Sequence, residues 1–303
     1  MTINPKLFPN MHKAGFVNIV GNPNVGKSTL MNQLVGEKIS IATFKAQTTR
    51  HRMMGIVNTP DMQIVFSDTP GVLKPNYKMQ EMMLAFSESA LADADILLYV
   101  TDVVENPEKN MDFLDRVKTM TIPVLLLINK IDETDQQRLG DIVERWHALL
   151  PNAEILPISA KNKFGTDILM KRIGELLPES PANFDKDQLT DKPARFFVSE
   201  IIREKILRYY DKEVPYAVEV AVEQFKEDEH HVHINAVIYV ERDSQKGIII
   251  GHQGMALKKV STEARKSLEK FFGKRIFLEI FVKVDKDWRN SQKELNSFGY
   301  NPQ

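Results

Sequence analysis

Short, almost wholly apolar runs alternate with amphipathic stretches over the first 177 or so residues. The runs at 16–20, 63–67, 96–101, 124–128 and 155–158 have the length of strands, and their near-continuous apolar character is that of strands covered on both faces. Between them, apolar positions recur at helical spacing, for example over 28–35, 79–91 and 134–149. This alternation predicts an α/β domain: a mostly parallel sheet with helices on both faces. The pattern stops at PESPANFDKDQLTDK, residues 178–192, a polar stretch with two prolines that reads as a linker. Beyond it the order predicted is helix (199–209), strand (216–225), strand (231–241), helix (255–272), strand (276–283), an α+β pattern. The expected organisation is an α/β domain at 1–180, a linker at 181–194, and a smaller α+β domain with a C-terminal tail at 195–303.

With 303 residues, 43% hydrophobic and 27% charged, the chain has the composition of an ordinary globular protein. It has no cysteine, which excludes a disulfide framework and a thiolate metal site. The N-terminal MTINPKLFPNMHKAG lacks the apolar run of a signal peptide. No apolar stretch approaches the roughly 20 residues that span a bilayer. A soluble, cytoplasmic protein is expected. The net charge of −1 says little, but between residues 258 and 275 seven basic side chains stand against two acidic ones, a local face suited to phosphate.

The strongest chemical signal is GNPNVGKS at residues 21–28, after an apolar strand and opening a helix. Gly21 and Gly26 let the backbone curl so that its N–H groups point at phosphate oxygens. The helix N-terminus adds its positive dipole end. Lys27 supplies an ammonium to the β- and γ-phosphates, and Ser28 a hydroxyl to Mg²⁺. This loop specifies a nucleoside triphosphate without choosing the base.

The base is chosen by NKID, whose Asn129, Lys130 and Asp132 follow the apolar run 124–128. The Asp132 carboxylate can accept from N1–H and the exocyclic amine of guanine, whereas adenine leaves it unsatisfied. Lys130 can lie along the base, and Asn129 can tie this loop to the phosphate loop. DTPG, from Asp68 to Gly71, ends another strand: Asp68 is placed for Mg²⁺ through water, and the Gly71 amide can sense the γ-phosphate. In SAK, the backbone N–H of Ala160 can meet the guanine carbonyl. All these elements fall at strand C-termini, where α/β sheets bind ligands.

GNPNVGKS, QTTR, DTPG, NKID and SAK resemble, in order and spacing, the five elements of small translational GTPases. With KAQTTRHR at residues 45–52 and the second domain, nearly the whole chain is similar to the Era family of bacterial GTPases. The resemblance implies a Ras-like P-loop GTPase domain. Nucleotide would lie on Gly21, Asn22, Pro23, Asn24, Val25, Gly26, Lys27, Ser28 and Thr29, on Asp68, Thr69, Pro70 and Gly71, on Asn129, Lys130 and Asp132, and on Ser159, Ala160 and Lys161. It implies Mg²⁺ held through Ser28, Asp68 and a switch threonine, Thr49 or Thr48. Lys27, Thr49 and Gly71 would carry hydrolysis. In Ras-like enzymes a glutamine after the DxxG glycine orients the attacking water; here that position is Val72, which cannot. Related GTPases with a hydrophobic residue there use a bound K⁺, for which Asn24 is the matching ligand; a loop-stabilising role for Asn24 is equally open.

In the second domain, G-x-x-G at Gly251, His252, Gln253 and Gly254 precedes a basic helix that carries Lys258 and Lys259. Two glycines allow close approach to a nucleic-acid backbone, and the setting resembles a type II KH domain. The family resemblance implies binding near the 3′ end of small-subunit ribosomal RNA, a role in assembling that subunit, and peripheral contact with the inner membrane; a monomer is expected, although the sequence does not give the oligomeric state. Two rival functions remain at this level: a P-loop enzyme acting on a small metabolite or on RNA, and a nucleotide-gated RNA binder that has lost hydrolysis. His230, His231 and His233 read as a solvated strand start, and Met79, Met82 and Met83 as packing.

Overall fold

In the first domain β1 (Lys13–Gly21), α1 (Lys27–Val35), β2 (Met53–Asn58), β3 (Met62–Asp68), α2 (Lys78–Ala92), β4 (Ile96–Asp102), α3 (Met111–Lys118), β5 (Val124–Asn129), α4 (Gln136–Leu149), β6 (Glu154–Pro157) and α5 (Thr166–Leu176) follow one another. The computed structural model describes residues 12–301, so most of the stretch read for a signal peptide lies outside it. The sheet order is β2-β3-β1-β4-β5-β6, and only β2 runs antiparallel to its neighbour. Alternation along β1 sends Val17 and Ile19 to one face, against Leu30 and Met31 of α1 and Leu169 and Ile173 of α5. Val20 goes to the other face, with Tyr99, Leu114 and Trp146. Fully burying one such side chain stabilises the fold by about 2 kcal/mol.

The expected linker is a strap. As the edge strand, β2 presents unpaired N–H groups. The strap covers them: Ile56 N donates to Leu189 O (2.8 Å) and Met54 N to Asp191 Oδ1 (2.8 Å). Upstream, Gln63 at the start of β3 holds Asn183 N, Phe184 N and Phe184 O with one side-chain amide.

The second domain comprises α6 (Ala194–Tyr209), β7 (Val218–Glu227), β8 (His231–Val240), α7 (Asp243–Ile250), α8 (Met255–Phe272), β9 (Arg275–Val284) and α9 (Gln292–Ser297). β7 pairs antiparallel with β8, and β8 parallel with β9. Val198, Ile202 and Ile206 of α6 and Val260, Ala264 and Leu268 of α8 bury the inner face of this sheet. α6 begins five residues before the helix expected from the sequence, and α7 is a helix where the sequence read only an apolar segment.

The C-terminal tail is not an appendage. Trp288, Leu295 and Tyr300 are buried against Met79, Met83 and Phe86 of α2, so the methionines of α2 pack on the tail and thereby join the two domains. No helix of the described residues is long and apolar enough to cross a membrane.

Candidate nucleotide and nucleic-acid sites

The sheet order reverses around β1, whose neighbours are β3 and β4, and a cleft opens at the C-terminal ends of these strands. Gly21 (φ 145°) lies too close to the Val100 carbonyl for any Cβ. Asn24 (φ 68°) and Gly26 (φ 97°) are both left-handed, which curls the chain back to the start of α1 at Lys27. Lys27 is buried, and its Nζ donates to Gly21 O (3.0 Å) and Asn22 O (2.8 Å). Burial lowers its pKa to about 8, with Asp68 and Glu105 opposing. The cavity beside it measures about 330 Å³.

Ser28 Oγ is 2.7 Å from Asp68 Oδ2 and 2.8 Å from Thr49 Oγ1, and Thr49 Oγ1 is 3.4 Å from the same carboxylate oxygen. Ser40 Oγ also donates to Asp68 Oδ2 (2.7 Å). Asp68 Oδ1 is buried with no partner among the described residues. Burial raises the Asp68 pKa, against the hydroxyl donors of Ser40 and Ser28. Thr48 is turned elsewhere, its Oγ1 2.6 Å from Lys45 O and 2.6 Å from Thr43 Oγ1. Of the two threonines, the structure therefore brings Thr49 to Ser28 and Asp68. Three hard oxygen donors and an unpartnered carboxylate oxygen suit a small divalent cation.

Gly71 lies against the phosphate loop: a Cβ there would meet Pro23 Cα at 2.7 Å. Val72 N donates to Gly21 O (3.1 Å), and Thr69 and Pro70 are tied down by Thr69 Oγ1 to Ile19 O (2.8 Å) and Ser87 Oγ to Pro70 O (2.9 Å).

On the base side, Asn129 Nδ2 donates to Val25 O (2.8 Å), binding this loop to the phosphate loop. Lys130 Nζ reaches Asn24 O (2.7 Å) and Asp102 Oδ2 (2.6 Å). Asp132 is exposed, with one carboxylate oxygen held by Ser159 Oγ (2.5 Å). The Ala160 N–H, expected to meet the guanine carbonyl, donates to Asn129 Oδ1 (3.0 Å), whose buried amide oxygen requires a donor. Thr29 lines the cavity and Lys161 is exposed. Phe44, fully exposed at the cavity rim, was missed by motif reasoning, because it belongs to no motif.

Gly251 (φ 70°), Gln253 (φ 49°) and Gly254 (φ 75°) make a left-handed turn between α7 and α8, with His252 and Gln253 exposed. The two glycines differ. A Cβ at Gly251 would meet Ala256 Cβ at 2.6 Å, whereas one at Gly254 would meet nothing within 4 Å. Lys258 is exposed, and Lys259 Nζ sits 4.3 Å from the centre of the Tyr209 ring. Ile248 and Met255 stand exposed on either side of the loop, an apolar pair that charge counting overlooked. His233 stacks on Phe277 (4.6 Å).

The segment before β2 is built into the second domain. Arg50, fully buried, donates to Val218 O (2.6 Å) and Glu219 Oε2 (3.2 Å). Arg203 donates to the carbonyls of Gln47 (3.3 Å) and Thr48. His51 packs on Tyr300 (4.3 Å) and Phe196 (5.7 Å).

The family model described as 50S ribosome-binding GTPase matches residues 16–130, and the KH domain model matches residues 213–289. Two solved structures each share 37% sequence identity with the chain, cover 95% of it and 99% of their own length, and superpose with a TM-score of 0.91. One is a single-substitution variant of Aquifex aeolicus Era bound to GDP.AlF4⁻; the other is Era in complex with MgGDPNP and nucleotides 1506–1542 of 16S ribosomal RNA. With a GTPase domain and a KH domain in this order, and this identity over nearly its whole length, the chain belongs to the Era family of GTPases.

Proposed function

We propose that the chain binds GTP in the cleft of the first domain, hydrolyses it, and holds the 3′ end region of small-subunit ribosomal RNA on the second domain during assembly of that subunit. The observation that supports this most is the meeting of Ser28, Thr49 and the half-unpartnered Asp68 carboxylate beside Lys27, in one chain with an exposed G-x-x-G turn. Ser28, Thr49 and Asp68 fit Mg²⁺ as hard oxygen ligands, and the ion would offset phosphate charge. Lys27 would bind the β- and γ-phosphates, Gly71 N–H would sense the γ-phosphate, and Asp132 would select guanine. Gly251, His252, Gln253 and Gly254 would meet the RNA backbone, with Lys258 on phosphate and Ile248 and Met255 on bases. The relatives' complexes with GDP.AlF4⁻, MgGDPNP and 16S ribosomal RNA support the same reading. Fluorescence anisotropy with a short RNA of that 3′ region, with and without GTP, tests it. RNA affinity indifferent to both the sequence and the nucleotide would count against it.

K⁺ is part of the proposal. Val72 cannot orient water, and the left-handed Asn24 stands exposed at the cavity rim. Hydrolysis should be faster in K⁺ than in Na⁺ at matched ionic strength, and Asn24→Ala should remove most of the difference. Action in the cytoplasm as a monomer, with peripheral contact at the inner membrane, completes the reading; sedimentation and membrane flotation test these two points.

A further inference from the structure

Asn22 belongs to the phosphate loop yet does not line the nucleotide cavity. Its side chain faces the loop after β4. Asn22 Nδ2 donates to Glu105 Oε1, and Asn22 Oδ1 accepts from Asn110 Nδ2. Glu105 is mostly buried, and its other oxygen accepts from Thr101 Oγ1 (2.6 Å) at the end of β4. Asn110 Nδ2 also donates to Val72 O (3.1 Å), while Val72 N donates to Gly21 O (3.1 Å). Both backbone groups of Val72 are thereby held, one by the phosphate loop and one by Asn110. Glu105 and Asn110 lie outside all five nucleotide motifs.

We propose that Glu105, Asn22 and Asn110 are positioning residues for hydrolysis: they form a hydrogen-bonded chain, anchored on β4, that seats Val72 and with it the Gly71 amide against the phosphate loop. The chain has a direction. Ionised, Glu105 only accepts from Asn22, which turns the Asn22 oxygen outward; that oxygen and Val72 O both require a donor, and among the described residues Asn110 is the side chain that supplies it. Gly71 has no slack of its own, being pressed on Pro23 at a place where even a Cβ would not fit. A small loss of constraint at Val72 therefore displaces the amide that faces the reacting phosphate, and a displacement of this kind is costly to rate while leaving ground-state binding intact. Val72 itself brings no polar side chain, so backbone placement is what this position contributes.

Asn110→Asp keeps size and shape but replaces the donor with an acceptor. At pH 8, where Glu105 is mostly ionised, the Asn22 amide cannot repair this by flipping, because its oxygen would then face a carboxylate. Single-turnover hydrolysis and GDP affinity are measured for Asn110→Asp, Asn110→Ala, Asn22→Ala and the pair Asn22→Ala with Asn110→Ala. Expected is a loss of about tenfold in rate for each single variant, GDP affinity within about twofold of the parent, and a double variant no slower than the singles, as for residues acting in one unit. The alanine variants keep the test informative if the aspartate variant fails to fold. Unchanged rates overturn the proposal. So does GDP affinity falling in step with rate, which would make the chain a mere support of the binding loop, and so does a multiplicative loss in the double variant.

Discussion

Arg50 and Glu219 form an ion pair at 3.2 Å between two domains, with the arginine side chain wholly out of solvent. The arginine directly follows Thr49, so the threonine beside Ser28 and Asp68 is one peptide bond from a side chain rooted in the KH domain. Glu219 is further held by the Tyr300 hydroxyl (2.7 Å). Removing one member of a buried pair leaves the other desolvated without its counter-charge. Arg50→Leu should therefore cost about 3 kcal/mol. It should also make RNA affinity less dependent on the bound nucleotide. Urea unfolding and RNA titration in GDP and in a GTP analogue measure the two effects; a stable variant with undiminished nucleotide dependence would argue that the pair couples nothing.

Thr49 and Thr48 are chemically alike and oppositely placed. Thr49→Ala should slow hydrolysis by about a hundredfold, the scale of a lost group in charge stabilisation. Thr48→Ala loses bonds only to Thr43 and Lys45 and should act on loop stability instead. Single-turnover assays across Mg²⁺ concentration distinguish them, since only the Thr49 variant should need more Mg²⁺.

Asp132→Asn should shift preference from guanine to xanthine nucleotides. The amide offers a donor where guanine also offers one, and xanthine carries a carbonyl in place of that amine. Titration with labelled GDP and XDP reads the change directly, and retained GDP affinity would dismiss Asp132 as the selector.

The two glycines of the G-x-x-G turn call for separate treatment. Gly254→Asp adds a side chain into open space at a left-handed backbone (φ 75°) that Asp tolerates better than most residues, so it should block RNA and leave GDP binding intact at a small cost in stability. Gly251→Asp collides with Ala256 and should destabilise the turn itself. Lys258→Ala should weaken all RNA sequences alike and lower the slope of log affinity against log salt by about 0.7. Lys259, resting on Tyr209, should contribute less. Anisotropy with a short single-stranded RNA, paired with thermal melting, tells these cases apart.

Glu105 makes stability depend on pH. Burial raises its pKa from 4.5 to about 7, helped by Asp102 and opposed by Thr101 and Lys27. A carboxyl with a raised folded pKa binds its proton more tightly in the native state. Stability should accordingly fall as pH rises from about 4.5 to about 7, by about 3 kcal/mol from this group. Glu105→Gln removes the ionisation and should be more stable than the parent at pH 8 and equal to it below pH 4.5. Denaturant titrations across this range test the sign; a parent that is no less stable than the variant at pH 8 would refute the assignment.

The nucleotide cleft was legible because its determinants are contiguous: a strand, a glycine turn and a lysine in one octapeptide leave few conformations open. Thr48 and Thr49 could not be separated, since they differ only in backbone direction, which Arg203 and the KH-domain partners of Arg50 set from more than a hundred residues away. The bond from the Ala160 amide to Asn129 could not be read from the motifs, because the two residues are adjacent only in space. Polarity marked residues 178–192 as a linker, but whether a linker hangs free depends on whether an edge strand needs covering, and β2 (MMGIVN), interrupted by a glycine and closed by an asparagine, does not read as a continuous apolar run. α7 was hidden by its content: GIII reads as strand, and only packing against α8 and β9 makes it helical.

The burial of Trp288, Leu295 and Tyr300 against α2 has a consequence in time. A growing chain completes its GTPase sheet, its phosphate loop and the segment from Lys45 to Arg52 long before Tyr300 is made, and domains fold as they emerge. Until Glu219 is made Arg50 has no counter-charge, and until Tyr300 is made His51 has no tyrosine ring. The nascent protein thus passes through a stage with a finished nucleotide cleft and an unharnessed switch; the KH domain takes hold of that switch first through Arg203, Val218 and Glu219, and Tyr300 completes the hold through Glu219 and His51.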